Sequence, residues 1–134
     1  MIQLAIETEE DIIVAATFGK SYAREMGFSV VDQTKITVSI SELTRNVINY
    51  GDKGCITFEK DGQCLRITVQ DEGPGIPDIN EAMKDGVTTG SGLGLGLSGT
   101  KRLMDEFHIE SKIGEGTKIM IKKWLPPKGE EQEV

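Results

Sequence analysis

A glutamate and an asparagine one helical turn apart are the first residues suited to chemistry. Glu42 and Asn46 stand four positions apart in SISELTRNVINY, a segment with the apolar spacing of a helix. At 100° per residue, both lie roughly 100° from the centre of the apolar stripe, at its edge. An amide oxygen can coordinate Mg²⁺, which prefers oxygen ligands and retains several waters. A carboxylate can orient or deprotonate a nucleophile, although a helix glutamate is more often simply solvated.

An acid that follows a predicted core strand forms the second group. In CLRITVQ every second residue from Leu65 onward is apolar, and Asp71, the first residue of DEGPGIP, is the next position in that series. Asp71 is therefore predicted to lie on the same face of the strand as Leu65. A carboxylate that leaves a strand on its buried side must find hydrogen-bond donors. The donors belong either to the protein, as an arginine or backbone N–H groups, or to a ligand, such as an exocyclic amine. Gly73 and Gly75 would let the backbone approach that ligand and adopt positive φ.

The third group is the glycine-rich segment TTGSGLGLGLSGT, residues 88–100. Its glycine density does not suit a strand, and its leucines do not suit a flexible linker. Backbone N–H groups of such a loop can wrap an anion, and a helix beginning near Leu97 would point its positive end at that anion. The segment 94–99 matches G-x-G-x-x-G, but no apolar strand precedes it, so a Rossmann dinucleotide-binding site is not predicted. No P-loop sequence occurs either. The alternative is a lid with a packing role only.

Two helices and a strand must position the first group. A strand over 2–6 precedes a helix that Thr8 caps and Gly27 ends. Ser29 caps a second helix, which runs to about residue 50 and stops at Gly51. The predicted core stripes of these helices are Ile12, Ala16, Gly19, Ala23 and Met26, and Ile36, Ile40, Leu43, Val47 and Tyr50.

The remaining elements position Asp71 and the glycine-rich segment. A hairpin is predicted to turn at Asp61-Gly62, with Lys60 opposite Gln63. A third helix over about 97–107 and two strands that turn at GEG follow. Together these elements predict an α+β two-layer sandwich, with a mixed, mostly antiparallel sheet covered by helices on one face. We expect one domain over 1–125 and a flexible acidic tail over 126–134.

Composition limits the classes of function. The chain has 134 residues and a net charge of −7, which argues against nucleic acid or anionic lipid as a partner. It has no apolar run long enough to span a membrane and no signal peptide, so a cytoplasmic location is expected. In the predicted hairpin, Cys55 and Cys64 lie too far apart for a disulfide, and their spacing matches no zinc motif.

The order of these motifs resembles the GHKL (Bergerat-fold) ATP-binding domain of histidine kinases, gyrase, Hsp90 chaperones and MutL. The motifs are E-x-x-x-N on a helix, D-x-G-x-G after a strand, G-x-G-x-G before a helix, and G-T at 116–117 on a late strand. Within that family the chain is similar to the small bacterial serine kinases of the anti-sigma type, over residues from about 8 to 125.

The resemblance implies ATP and Mg²⁺ as cofactors and assigns roles to the residues of the motifs. Glu42 would be the general base, Asn46 the Mg²⁺ ligand and Asp71 the acceptor for the adenine amino group. Thr117 would reach adenine through water, and Asn49 would border the pocket. The remaining implied residues are glycines: Gly73 and Gly75 at the adenine wall, and Gly92, Gly94 and Gly96 in the phosphate lid.

The resemblance also implies a function and partners. The chain would phosphorylate serine or threonine of a STAS-domain scaffold or antagonist protein, and would then bind and activate a PP2C-type phosphatase. One alternative is an anti-sigma kinase that holds a sigma factor directly. The other is a binding module gated by ATP without phosphoryl transfer, against which the presence of Glu42 argues. Relatives in this class can dimerise, so a homodimer is possible.

Overall fold

Nine helices and strands occur in residues 1–84 and 96–127, which are the ones that this computed structural model describes. In chain order they are β1 (Ile2–Ile6), α1 (Glu9–Met26), α2 (Val30–Tyr50), β2 (Gly54–Asp61), β3 (Cys64–Asp71), α3 (Ile79–Ala82), α4 (Gly96–Leu103), β4 (Glu106–Lys112) and β5 (Gly116–Trp124). None of the described helices is both long and apolar enough to cross a bilayer. Residues 128–134, most of the predicted tail, lie outside the described residues.

The five strands form one sheet in the order β1-β2-β3-β5-β4. Every pairing between these strands is antiparallel, so the described sheet is antiparallel throughout rather than mixed. Apolar residues of one sheet face and of α1 and α2 form a continuous core, in which Phe58, Ile67 and Ile40 are fully buried. The predicted α+β two-layer architecture is therefore confirmed.

The ends of α1 and α2 lie where the capping residues predict. The Thr8 hydroxyl accepts a hydrogen bond from the Asp11 backbone N–H, and the Asp11 carboxylate accepts one from the Thr8 N–H at 3.0 Å. Backbone N–H donors from Glu7 and Thr8 hold the pKa of the Asp11 carboxyl below its usual value. Gly27 ends α1 with a φ of 102°, in the left-handed region that favours glycine. Ser29 caps α2 through the Asp32 N–H at 3.1 Å.

The hairpin differs from the prediction by a shift of the turn. Asp61 pairs with Cys64, so the two-residue loop is Gly62-Gln63, and Cys55 lies opposite Gln70 rather than Thr68. Gly62 takes the first loop position with a φ of 63°, a conformation that glycine adopts without strain. Moving the partner by two residues preserves the side-chain parity, so the predicted core face is correct. Both cysteines are free, as predicted.

One helix boundary and one predicted core residue also differ from the predictions. The helix predicted over about 97–107 is α4, which ends at Leu103 because the following residues already pair with β5: the Asp105 N–H donates to the Lys122 carbonyl at 3.0 Å. Tyr50, predicted as a core residue of α2, is 58% exposed at the last turn of the helix.

Gly19 allows α1 to pack closely against α2 and the sheet. A Cβ atom at this position would collide with Cδ1 of Ile40 and lie 3.2 Å from Cε2 of Phe58. Because both neighbours are fully buried, the surrounding core has little room to adjust.

Gly19→Ala is therefore expected to destabilise the fold by about 1–2 kcal/mol, since overpacking outweighs the gain in helix propensity. Denaturant unfolding measures this change. In an Ile40→Val background, which removes Cδ1, the same substitution should become neutral or stabilising. An equal cost in both backgrounds would contradict this packing.

Candidate nucleotide-binding site

A cavity of about 560 Å³ lies between α2 and the end of the core face of the sheet. Its volume is within the usual range for small-molecule sites. Most of the wall is apolar, with a few polar groups. The lining residues are Leu43, Asn46, Val47, Tyr50, Gly51, Val69, Asp71, Pro74, Gly75, Ile76, Pro77, Ala82, Leu97, Ile113, Thr117 and Ile119.

A row of polar residues crosses three strands at one end of this cavity. Asp71 of β3 pairs with Thr117 of β5, and Thr117 pairs with Ser111 of β4. Each residue takes the parity of the apolar core residues on its own strand, so all three point to the core side of the sheet. The row therefore places hydrogen-bonding groups where the apolar core ends and the cavity begins.

Asp71 has a hydrogen-bond donor within the protein and also faces the cavity, where a ligand could supply another. Its Oδ1 accepts the Gly73 N–H at 2.8 Å, so the protein supplies a donor, while the half-buried carboxylate also lines the cavity. Burial raises the pKa of the Asp71 carboxyl, and the backbone N–H groups of Gly73 and Thr117 oppose that rise. Asp52 adds a smaller contribution that raises it further.

The two glycines after Asp71 serve the local backbone in different ways. Gly73 faces Gly51 so closely that an added Cβ would lie 2.6 Å from the Gly51 Cα. Gly75 has a φ of 83° and lines the cavity, whereas Gly73 is buried behind the cavity wall. The chain can therefore pass between Gly51 and the end of β4 only with glycine at these positions.

Glu42 and Asn46 occupy different depths on α2. Asn46 is half-buried on the cavity wall, at the predicted edge of the apolar stripe. Glu42 is 1% exposed, which is deeper than predicted, and its Oε1 accepts the Gly96 N–H at 3.0 Å. Gly96 is the first residue of α4, so the carboxylate also lies at the positive end of that helix.

Four of the predicted site residues, Glu42, Asn49, Gly73 and Gly96, are not among the lining residues, and two more are not described. Asn49 is exposed on the last turn of α2 and does not line the cavity. Gly92 and Gly94 of the predicted phosphate lid lie outside the described residues. The remaining lid residue, Gly96, is in place at the start of α4, next to Leu97 on the cavity wall.

The sequence analysis missed the apolar wall and Ser111. Ile76, Pro77 and Ile113 lie in loops, where no periodicity marks a residue as buried. Ser111 carried a usable signal, because it ends the alternation of Phe107 and Ile109 just as Asp71 ends that of its own strand.

The described residues suit a nucleotide better than a protein-bound metal centre. The part of the chain that the structure describes has no cluster of three or more His, Cys, Asp or Glu side chains that could hold a metal ion. A Mg²⁺ ion would therefore take one oxygen from Asn46 and the others from phosphate and water, as Mg²⁺ commonly does. The apolar walls and the Asp71 carboxylate suit a flat base that carries an amine.

The family that these features indicate is confirmed by comparison with known proteins. Residues 31–128 match the family described as histidine kinase-, DNA gyrase B- and HSP90-like ATPase, and the chain belongs to this family. The chain is 51% identical over 124 residues to the serine/threonine-protein kinase RsbT of Bacillus subtilis (strain 168), with 90% of this chain and 93% of that protein covered. It is 30% identical over 132 residues to the anti-sigma F factor of Geobacillus stearothermophilus, covering 91% of this chain and 89% of that one.

Solved structures agree on the fold. The RsbU and RsbW domains of a Mycobacterium tuberculosis protein align with a TM-score of 0.66 at 19% identity, over 93% of this chain and 33% of that chain. The catalytic domain of the histidine kinase ThkA aligns with a TM-score of 0.57 at 21% identity, over 92% of this chain and 96% of that one.

The raised pKa of the Asp71 carboxyl gives a pH-dependent prediction for stability. Between the pKa of the unfolded chain and the higher folded pKa, the folded protein binds more protons, so stability falls as pH rises through that interval. Asp71→Asn cannot ionise. The difference in unfolding free energy between Asp71→Asn and the wild type should therefore increase with pH and then level off. The total change should be about 1 kcal/mol or less, because solvent screens a half-exposed charge.

Urea unfolding over a pH series, with Glu72→Gln as a control at the neighbouring exposed acid, measures this difference. A relative stability of Asp71→Asn that decreases with rising pH would show that the carboxylate is stabilised by its surroundings, contrary to the structure.

Proposed function

We propose that this chain is a serine/threonine-protein kinase that transfers the γ-phosphoryl group of ATP to a STAS-domain protein and exchanges that partner for a PP2C-type phosphatase. The observation that carries the proposal is the 51% identity to a serine/threonine-protein kinase over 90% of this chain. The cavity supports it, because an amine acceptor lies at one end and an amide with a nearby carboxylate lies on α2.

The base of ATP would bind at the polar row. The Asp71 carboxylate accepts the exocyclic amine of adenine, and Thr117 adds a second contact, direct or through water. The apolar wall encloses the ring, and Gly75 allows the backbone to approach it. Val47 and Ile119 are buried and belong to that wall, so the base would be largely shielded from solvent.

The phosphates would lie toward α4. The lid glycines Gly92 and Gly94, together with the first-turn N–H groups of α4 that follow Gly96, would supply donors for the phosphate oxygens, while the Gly96 N–H itself is bound to Glu42. Asn46 would hold Mg²⁺ through its amide oxygen, and the ion would neutralise phosphate charge.

Glu42 acts as the general base. As the oxygen of the acceptor serine or threonine forms its bond to the γ-phosphorus, the bond from phosphorus to the bridging oxygen breaks and ADP leaves. The Glu42 carboxylate takes the hydroxyl proton. The Gly96 N–H orients this carboxylate through Oε1.

Two alternatives are each favoured by a specific observation. The 30% identity to an anti-sigma F factor over 91% of this chain favours a kinase that holds a sigma factor directly. The burial of Glu42 and its bond to Gly96 favour a structural role for the carboxylate, and hence a binding module gated by ATP without transfer.

The first test is intact-mass spectrometry of the STAS-domain protein encoded nearest to this gene, incubated with this chain and Mg-ATP. One added phosphate is expected. No added phosphate while ATP still binds would reject phosphorylation of this STAS-domain protein and favour the two alternatives. Pull-downs with a PP2C-type phosphatase and with a sigma factor then separate the two partner classes.

Substitutions at Glu42 separate catalysis from structure. Glu42→Gln keeps an oxygen that can accept the Gly96 N–H but cannot act as a base, so phosphoryl transfer should fall by about 10²–10⁴-fold at nearly unchanged stability and ATP affinity. Glu42→Ala should lose transfer and also about 1–2 kcal/mol of stability, because the buried N–H loses its acceptor.

Asp71→Asn is the matched control for these variants, since it should weaken ATP binding while leaving Glu42 in place. Initial rates at saturating ATP, thermal melts and ATP titrations give the three readouts. Wild-type transfer by Glu42→Gln would exclude Glu42 as the base.

A further inference from the structure

The Ser111 hydroxyl joins three parts of the cavity rim. Its Oγ accepts the Ile76 N–H at 2.7 Å, and lies 3.1 Å from the Gly116 carbonyl oxygen and 2.8 Å from the Thr117 hydroxyl oxygen. Ile76 lies in the loop after Asp71 and lines the cavity, as does Thr117. Ser111 itself is not among the lining residues, so it acts on the site only through these contacts.

Only one arrangement of protons makes all three contacts hydrogen bonds. The Ile76 N–H is a donor and the Gly116 carbonyl is an acceptor, so Ser111 receives the first bond and gives its single proton to the second. The Thr117 hydroxyl must then donate its own proton to Ser111. The Thr117 oxygen consequently presents only lone pairs to the cavity.

We propose that Ser111 is a positioning residue that fixes the Thr117 hydroxyl as an acceptor and thereby sets the base selectivity of the site. Asp71 and Thr117, which pair across β3 and β5, then form an edge of acceptors alone. Placed against the 6-substituent of a base, such an edge accepts an amine and disfavours a carbonyl, because two acceptors would face each other. The ring nitrogen at position 1, an acceptor in adenine, is then left to water. The inference rests on the proposed function, since it specifies how the same site chooses its nucleotide.

Removing the Ser111 hydroxyl should change selectivity and not only affinity. In Ser111→Ala the Thr117 proton loses its acceptor and can rotate toward the cavity, where it can donate to a 6-carbonyl oxygen. Affinity for ATP should fall while affinity for inosine triphosphate holds or rises. The dissociation constant for inosine triphosphate divided by that for ATP should decrease by roughly five- to tenfold, which corresponds to about one hydrogen bond.

The experiment is calorimetric titration of the 134-residue chain with ATP and with inosine triphosphate, each with Mg²⁺. Ser111→Thr keeps the hydroxyl and should retain the wild-type ratio. Ser111→Cys keeps the side-chain size but offers only a weak donor and acceptor, so its ratio should fall between those of the wild type and Ser111→Ala. This variant preserves the test if Ser111→Ala does not fold.

The outcomes separate this inference from the function on which it rests. Ser111→Ala and Ser111→Cys could each bind ATP and inosine triphosphate more weakly by the same factor and so keep the wild-type preference for ATP. That result would show that Ser111 only supports the loop at Ile76, and it would overturn the inference alone. No nucleotide binding by the wild type would overturn the proposed function and the inference together.

Discussion

The apolar stripe of α2, packed against the core face of the sheet, is the contact on which the rest of the structure depends. Ile36, Ile40 and Leu43 are fully buried there, together with Ile56 and Ile67 of the strands. Each such side chain contributes about 1.5–3 kcal/mol, whereas an exposed ion pair contributes about 0–1 kcal/mol. The buried stripe ends at the last turn of α2, where Tyr50 is exposed, and the cavity begins at that turn. The site therefore lies where the core ends.

Polar contacts at both ends connect α4 to this framework. At its first residue, the Gly96 N–H donates to Glu42 of α2. At its last residue, the Leu103 carbonyl accepts from the Lys123 ammonium at 3.4 Å, and that ammonium lies 3.8 Å from the buried Asp32 carboxylate at the start of α2. Burying a charged pair is costly unless the charges remain close, so these contacts restrict where α4 can lie against α2. Glu42 takes part in this connection. The contact that holds α4 and the proposed chemistry therefore both require the Glu42 carboxylate to stay beside the first residue of α4.

Local signals in the sequence were sufficient for the family and for every described element except the one-turn helix α3. Capping residues determined the ends of α1 and α2 because a cap satisfies N–H groups within four residues of itself. The end of α4 was wrong because it depends on pairing with a distant segment, where Asp105 bonds to Lys122. The hairpin register was wrong because Gly62 rather than Asp61 opens the turn. Asn49 was expected to border the cavity, but it is exposed on the last turn of α2 and is not among the lining residues.

The sequence by itself determined which residues carry polar chemistry, because Asp71, Asn46 and the glycines are unusual for the strand, helix and loop that hold them. Only the tertiary structure decided their partners. It brought Thr117 beside Asp71, placed Ser111 beside Thr117, and set Gly96 against Glu42, residues separated by 54 positions in the chain. The physical reason is that parity and periodicity fix the face on which a side chain lies. Strand order and helix packing, which the whole core selects, fix what that face meets.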